Sequence, residues 1–521
     1  MRPFVLNRLG GILVAASAAW MPLALQGADL RVPEAAQNRD LQSLKSLVKQ
    51  KADVNATLAD GMTGLIWAAH NDDMESASLL VAAGANVKMV NRYGVSALTE
   101  ACSLGDAPMV ELLLKAGADP NSALPEGDTA LILAARTGSV GAIKALIERG
   151  ADVNKRETLH GETALHSAAG ENQAEVVRLL VEHGADVNVQ AASLKYPLIV
   201  KQDVMSLPPE GGLTPLMEAV RENAMDAALV LLKAKADMNV RTPDHMTALL
   251  IAITNAHWDM AKLLIESGAD VNDGSLAQVE EVRNTRTTLS RPASFGPASV
   301  TSIEVFHALL DHGAKTDSLL EGPVPTRSGG AGPGAFDYSA LYRAAKTADL
   351  EVMQLLFAKG ADAKITSKDG STPLLAAAGV GPGGRVMGNF GVSGKTTTPA
   401  DRIKAIQMCL DHGADINATD GIGQTAAHGA AGLGADEIIQ FLSDHGGKLD
   451  VKDTRKRSPL DVANAVPLPG PPMQGPKLEK HESTAALIRK LLGMPEETSS
   501  TTKPAEEKAE AKPVALTSAG R

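Results

Sequence analysis

The stretch Thr163-Ala-Leu-His-Ser-Ala-Ala-Gly-Glu-Asn-Gln-Ala-Glu-Val-Val-Arg-Leu-Leu-Val-Glu-His-Gly-Ala-Asp-Val-Asn188 contains one complete structural unit. Thr163 offers a hydroxyl that can cap a helix, and Leu165 with the Ala168-Ala169 pair follows on one face. The alanines are small, so a neighbouring helix layer can approach closely. From Ala174 to His183, the residues Val176, Val177, Leu179, Leu180 and Val181 recur at helical spacing and predict a second helix with a broad apolar face. Gly184 can adopt positive φ beyond the helix end. Ala185-Asp-Val-Asn188 predicts a turn into an extended finger, with Asp and Asn hydrogen-bonding to local backbone. Such a unit cannot bury its own apolar faces; stacking on copies of itself can.

The copies are present. Taking the valine of Gly-Ala-Asp-Val-Asn as a marker, the phrase or a near copy falls at Val54, Val87, Pro120, Val153, Val187, Met238, Val271, Thr316, Ala363, Ile416 and Leu449. The basic step is 33 residues, as from 54 to 87 and from 238 to 271, and longer steps carry inserts. The Thr-leading phrase recurs as Thr63-Gly-Leu-Ile-Trp-Ala-Ala69, Ser96-Ala-Leu-Thr-Glu-Ala-Cys102, Thr129-Ala-Leu-Ile-Leu-Ala-Ala135, Thr214-Pro-Leu-Met-Glu-Ala-Val220, Thr247-Ala-Leu-Leu-Ile-Ala-Ile253, Thr372-Pro-Leu-Leu-Ala-Ala-Ala378 and Thr425-Ala-Ala-His-Gly-Ala-Ala431.

A 33-residue period with a Thr-Pro-Leu-His-x-Ala phrase resembles the ankyrin repeat, over roughly residues 30–465. The resemblance implies an all-α solenoid of about twelve stacked helix-turn-helix repeats, each followed by a β-turn finger. The first copy, near 29–58, lacks the Thr-leading phrase. The last, near 453–493, begins Ser458-Pro-Leu-Asp461 and resumes at Thr484 after a Pro-rich break. Both read as atypical capping repeats.

Composition agrees with short stacked helices. Of 521 residues, 44% are hydrophobic but only 3% aromatic, so the core must be mostly Ala, Leu, Val and Ile. The net charge of −11 argues against a nucleic-acid-coating role. Two cysteines, Cys102 and Cys409, cannot build a disulfide framework; on helices of distant repeats they read as small buried hydrophobes.

Residues 1–28 carry Arg2 and Arg8, no Asp or Glu, and an apolar run from Leu9 to Leu25, and read as a secretory signal peptide. The alternative is an uncleaved anchor, since the run is nearly long enough to span a bilayer. The expected mature protein is periplasmic or secreted, with no stable membrane insertion after cleavage. The solenoid is expected over 29–493, with loop inserts near 189–211, 286–300, 319–335 and 379–400. The second of these lies inside a degenerate repeat, whose two helices read as Ser275–Arg286 and Ser302–Asp311. Residues 494–521, rich in Ala, Glu, Lys and Pro, read as a disordered tail.

The sequence offers several enzyme-like lures. Gly388-Asn-Phe-Gly-Val-Ser-Gly-Lys-Thr396 resembles a phosphate-binding loop, but five residues rather than four separate Gly388 from Gly394 and no strand precedes it. His183, His312, His412 and His445 each precede a glycine at a second-helix end, where a cation is favoured. His166 and His428 occupy a slot that the resemblance marks as structural and buried. No His-Glu-x-x-His, Cys-x-x-Cys or Gly-x-Ser-x-Gly sequence occurs. No catalytic residue, cofactor or metal is therefore expected.

Ankyrin proteins bind other proteins through finger tips and the concave face of the first helices, and the resemblance carries this over by position. The expected partner-binding residues are Trp67, Glu100, Leu133 and Glu218 in the concave slot; His70, Arg136, Glu171 and Arg221 just beyond the phrases; and Arg92 and Tyr93 on a finger tip. Trp67 and Tyr93 stand out because aromatics are scarce here and anchor interfaces elsewhere. For Trp67 the competing reading is partial burial against a neighbouring finger. The expected function is a non-catalytic scaffold for a protein partner. The alternatives are an enzyme or small-ligand binder with its site in the inserts, and a secreted effector acting on a host protein.

Overall fold

The computed structural model describes residues 30–193, 211–243, 245–273, 275–285, 299–320, 338–381, 397–466 and 479–495. The expected signal segment, nearly all of the expected tail, the phosphate-loop-like stretch and the middle of each expected insert lie outside them. The described residues form twenty-four helices in twelve consecutive pairs, from Arg31–Gln37 with Leu41–Lys49 to Pro459–Ala463 with Glu482–Leu491. The first helices pack side by side in one unbroken file, each second helix lies against its own first helix, and one hydrophobic cluster runs from Val32 to Ile488. The chain is thus an all-α ankyrin-type solenoid. Among the described residues no helix is long and apolar enough to cross a membrane.

The phrases act as capping signals. The hydroxyls of Thr63, Thr129, Thr214, Thr247 and Thr372 accept the backbone N–H three residues on, at 3.1–3.3 Å. Where the third position is histidine, the cap is reciprocal. The Thr163 N–H donates to His166 Nδ1 at 3.1 Å, and the ring's other nitrogen donates to the Leu213 carbonyl at 3.1 Å. Thr425, His428 and the Arg457 carbonyl repeat this at 3.1 and 3.0 Å. Burial drives the His166 pKa down to about 4 and lowers that of His428, so both rings stay neutral. At the second-helix ends, His183, His312, His412 and His445 each place Nδ1 2.8 Å from the carbonyl four residues earlier. These histidines close the last turn by a hydrogen bond as well as by any charge.

The finger phrase divides its labour. Its Asp bonds locally, as expected: Asp119, Asp152 and Asp186 each accept the N–H two residues on at 2.9 Å. Its Asn does not; it reaches the next unit. Asn55 Oδ1 accepts the N–H of Asn86, Asn121 that of Asp152, Asn154 that of Asp186, Asn188 that of Asp237, Asn239 that of Asp270, Asn272 that of Lys315 and Asn417 that of Lys448, all at 2.7–2.9 Å. Lys88 and Lys364 occupy the Asn slot in two units and make no such stitch.

Two of the long loops leave the stack between paired ends. Ser193 bridges Gly211, and Leu319–Leu320 pairs antiparallel with Tyr338–Ser339. The degenerate repeat supplies helices Ser275–Thr285 and Ser302–Asp311, the second with a Thr301/Glu304 capping box. Cys102 and Cys409 are both fully buried, and burial pushes both thiols up, which makes them poor nucleophiles.

Candidate functional site

The helix Gly64–His70 turns its small residues inward and leaves one side open. On Gly64–His70, Leu65, Ile66, Ala68 and Ala69 are buried, whereas Trp67 is half-buried and His70 exposed. His70 meets the Trp67 ring edge-on at 5.4 Å, and its Nδ1 lies 2.6 Å from Glu100 Oε1 on the next first helix. Trp67 packs one face on the core, and its indole Nε1 is buried without a hydrogen-bond partner. The structure therefore brings Trp67, His70 and Glu100 into one group across two units. Tyr93, at 66% exposure, stands with exposed Arg92 on the adjoining finger, whose backbone is tied to the preceding finger by the Arg92 N–H to the Asp60 carbonyl at 2.9 Å.

A second group is electrostatic. Arg221 donates to Glu218 Oε1 and, at 3.1 Å, to Glu222. Arg136 lies 3.4 Å from Asp128. Between them sits Glu162, whose carboxyl is raised by burial against the pull of His160, Arg221 and Arg136. Sequence reading missed Glu162, because it precedes the repeat phrase. Burial pushes Glu218 up to about 7, with the Arg221 guanidinium opposing the shift. Glu171 is exposed nearby in the file.

Two expected contact residues do not offer surface. Leu133 is 6% exposed, because its apolar side chain joins the common core. Glu218 is 8% exposed, because Gly170 on the preceding helix leaves room for its stem: a Cβ at Gly170 would lie 3.3 Å from Glu218 Cγ.

In a third group, Arg343 occupies the concave slot that the sequence assigns it, but sequence reading missed its neighbours Lys346 and Arg402. Arg343 stacks over the Tyr338 ring at 5.0 Å and faces the buried Glu280, while Lys346, one turn on, lies beside Arg343 and Arg402. The signal was available: Lys346 is five residues after the phrase's Leu341, where His70, Arg136 and Arg221 follow Leu65, Leu131 and Leu216. Among the described residues no group of three His, Cys, Asp or Glu side chains gathers in a metal-binding arrangement.

The match to a family model agrees with this architecture. A family model described as ankyrin repeats (3 copies) matches residues 34–124, 117–191, 193–275 and 216–319, together more than half of the chain. The chain is 26% identical over 277 residues to the B-cell lymphoma 3 protein homolog of mouse (Mus musculus), covering 52% of each protein. It is 34% identical over 170 residues to human (Homo sapiens) Ankyrin repeat and SOCS box protein 6, covering 31% of this chain and 35% of that one. It thus spans about half the length of these relatives, or less. Among solved structures, the human ASB11 ankyrin repeat domain matches with a TM-score of 0.35 at 24% identity, over 42% of this chain and 89% of that one. With the recurring capped helix pairs and the family match over most of the first 319 residues, the chain belongs to the ankyrin-repeat family.

Proposed function

We propose that this protein is a non-catalytic scaffold that binds a partner protein through the open side of its first-helix file and its finger tips. The observation that carries the reading is the display of Trp67, His70, Glu100, Arg136, Glu171 and Arg221 by successive units on one face, with Tyr93 and Arg92 on a neighbouring finger. Such a face is set by the packing beneath it, so a partner loses little entropy by ordering it. Half-buried tryptophan, exposed tyrosine and arginine are the residue types that anchor interfaces. The family and its curated relatives support a binding role. The basic and apolar residues 1–28 support export, and we place the mature protein in the periplasm or outside the cell.

The test is a crosslinked pull-down from the periplasm of the native host, with wild type beside a Trp67→Ala, Tyr93→Ala double variant whose helicity is checked by circular dichroism. We expect one protein captured by wild type and lost, by roughly tenfold or more, from the folded variant. Equal capture by both would remove these residues from the interface. No capture by either, or an uncleaved amino terminus retained in the cytoplasm, would overturn the reading.

A further inference from the structure

The position five residues after the phrase's leucine holds a basic residue type in four units, and in three of them that side chain has an acidic partner. His70 has Glu100 at 2.6 Å, Arg136 has Asp128 at 3.4 Å, and Arg221 has Glu218 and Glu222. Lys346 breaks the series: no carboxylate among the described residues pairs with it. Its charged neighbours are Arg343, on its own helix Ala340–Thr347, and Arg402, on Pro399–Asp411.

The surroundings fix these cations in place. Thr397 Oγ1 donates to the Thr347 carbonyl at 3.2 Å, and Arg402 Nη1 donates to the Ala377 carbonyl at 2.9 Å. These two bonds pin the start of Pro399–Asp411 against the ends of two consecutive first helices. Arg343, 9% exposed, lies behind Lys346 with the fully buried Glu280 facing it from Ser275–Thr285. Arg343 thus has a facing carboxylate, whereas no carboxylate among the described residues pairs with Lys346 or Arg402. Excess buried charge is costly unless a counter-charge arrives.

We propose that Lys346 and Arg402, backed by Arg343, form a site for an acidic segment of the partner protein, whose carboxylates seat against the ammonium and the guanidinium fork. This deepens the scaffold reading and rests on it. A guanidinium presents a planar set of donors suited to carboxylates, and the ammonium adds a point charge. A local basic site on an acidic molecule also orients the partner, since its acidic segment is repelled elsewhere.

The test uses the full chain and fluorescein-labelled hexaglutamate, followed by anisotropy at low salt, with inorganic phosphate titrated separately. Lys346→Gln is expected to weaken peptide binding about tenfold, Lys346→Arg to retain it within about threefold, and the finger-tip charge control Arg92→Gln to change it by less than about twofold. Without ligand, Lys346→Gln is expected to raise the thermal midpoint, because it removes an uncompensated charge. Unchanged peptide affinity in Lys346→Gln, or a lowered midpoint with unchanged affinity, would overturn the proposal. Phosphate binding without hexaglutamate binding overturns the acidic-segment assignment. Partner capture that persists while hexaglutamate fails sinks only this site. Lys346-dependent hexaglutamate binding without any partner capture keeps the site and sinks the scaffold.

Discussion

Residues 30–193 and residues 275–411 are built from the same unit but bury different chemistry. In the first region most of the buried polar groups serve the backbone: Thr63, Ser96, Thr129 and Thr163 cap helices, His166 completes a cap, and the Glu157 carboxylate takes the N–H groups of Leu159, His160 and Glu162 in a finger turn. In the second region Ser339 and Thr372 still cap, but Gln278, Glu280 and Arg343 are buried as well, and Lys346 is half-buried beside them. A backbone cap is satisfied within its own unit and can be copied from unit to unit. A buried charge needs a particular neighbour, so it marks a place where the repeat has been specialised.

The largest expected effect tests whether the two regions are energetically separate. Leu131→Ala and Leu341→Ala each remove a fully packed side chain, 1% and 0% exposed, and each should cost about 2–5 kcal/mol. Hydrogen exchange should show the loss confined to the mutated unit and its neighbours, because each unit touches only those. Loss of protection at the opposite end would mean that the stack unfolds as one and would erase the contrast.

Next comes pH. His166 is held neutral in the fold, near 4, while in the unfolded chain it titrates near 6.5. The unfolded state therefore binds more protons between these values. The histidine's contribution to stability is full above about pH 6.5 and is lost as pH drops toward 4, by on the order of 2–3 kcal/mol. His428 adds a loss of the same sign. Lys346, pushed down to about 7 by burial and by Arg343 and Arg402, has that sign in another window: stability declines as pH falls from about 10.5 toward 7. Thermal midpoints of wild type, His166→Gln and Lys346→Gln across both windows separate the regions. An acid slope unchanged in His166→Gln would remove the histidine from the account.

The smallest effects concern the stitches. Asn154→Ala removes an acceptor for the Asp186 N–H and a donor to the Gly184 carbonyl, and should cost about 1–2 kcal/mol in chemical denaturation. Lys364→Asn should install a missing stitch to the next unit and gain about 0.5–1 kcal/mol. A loss there would show that the second region has diverged in its backbone as well as in its buried charges.

The fold was legible because its signals are local and repeated. Thr163, Leu165, Gly184 and Asp186 each act within a few residues, and the period exposes them. The reach of Asn55 or Asn154 into the next unit was not legible, because its partner is a backbone N–H some thirty residues later, which Asn86, Asp186 or any other residue supplies equally. The candidate site was legible as a set of slots rather than as surface. Whether a slot is open depends on the neighbouring unit: Gly170 admits Glu218 into the interior, while the group around His70 stays open. Lys346 and Arg402 lie 56 positions apart across a long insert, and no spacing rule joins them.

The paired loop bases carry a consequence for how this molecule can change. Ser193 meets Gly211, Leu319–Leu320 meets Tyr338–Ser339, and Asn188 still finds Asp237 across 49 positions of chain. What enters and leaves such a loop is fixed, while its length and content are not transmitted to the units on either side. Lineages can lengthen, shorten or exchange these segments without re-solving the packing of the stack. A protein engineer could graft a foreign epitope or recognition loop between Ser193 and Gly211 and expect the register of every later unit to hold.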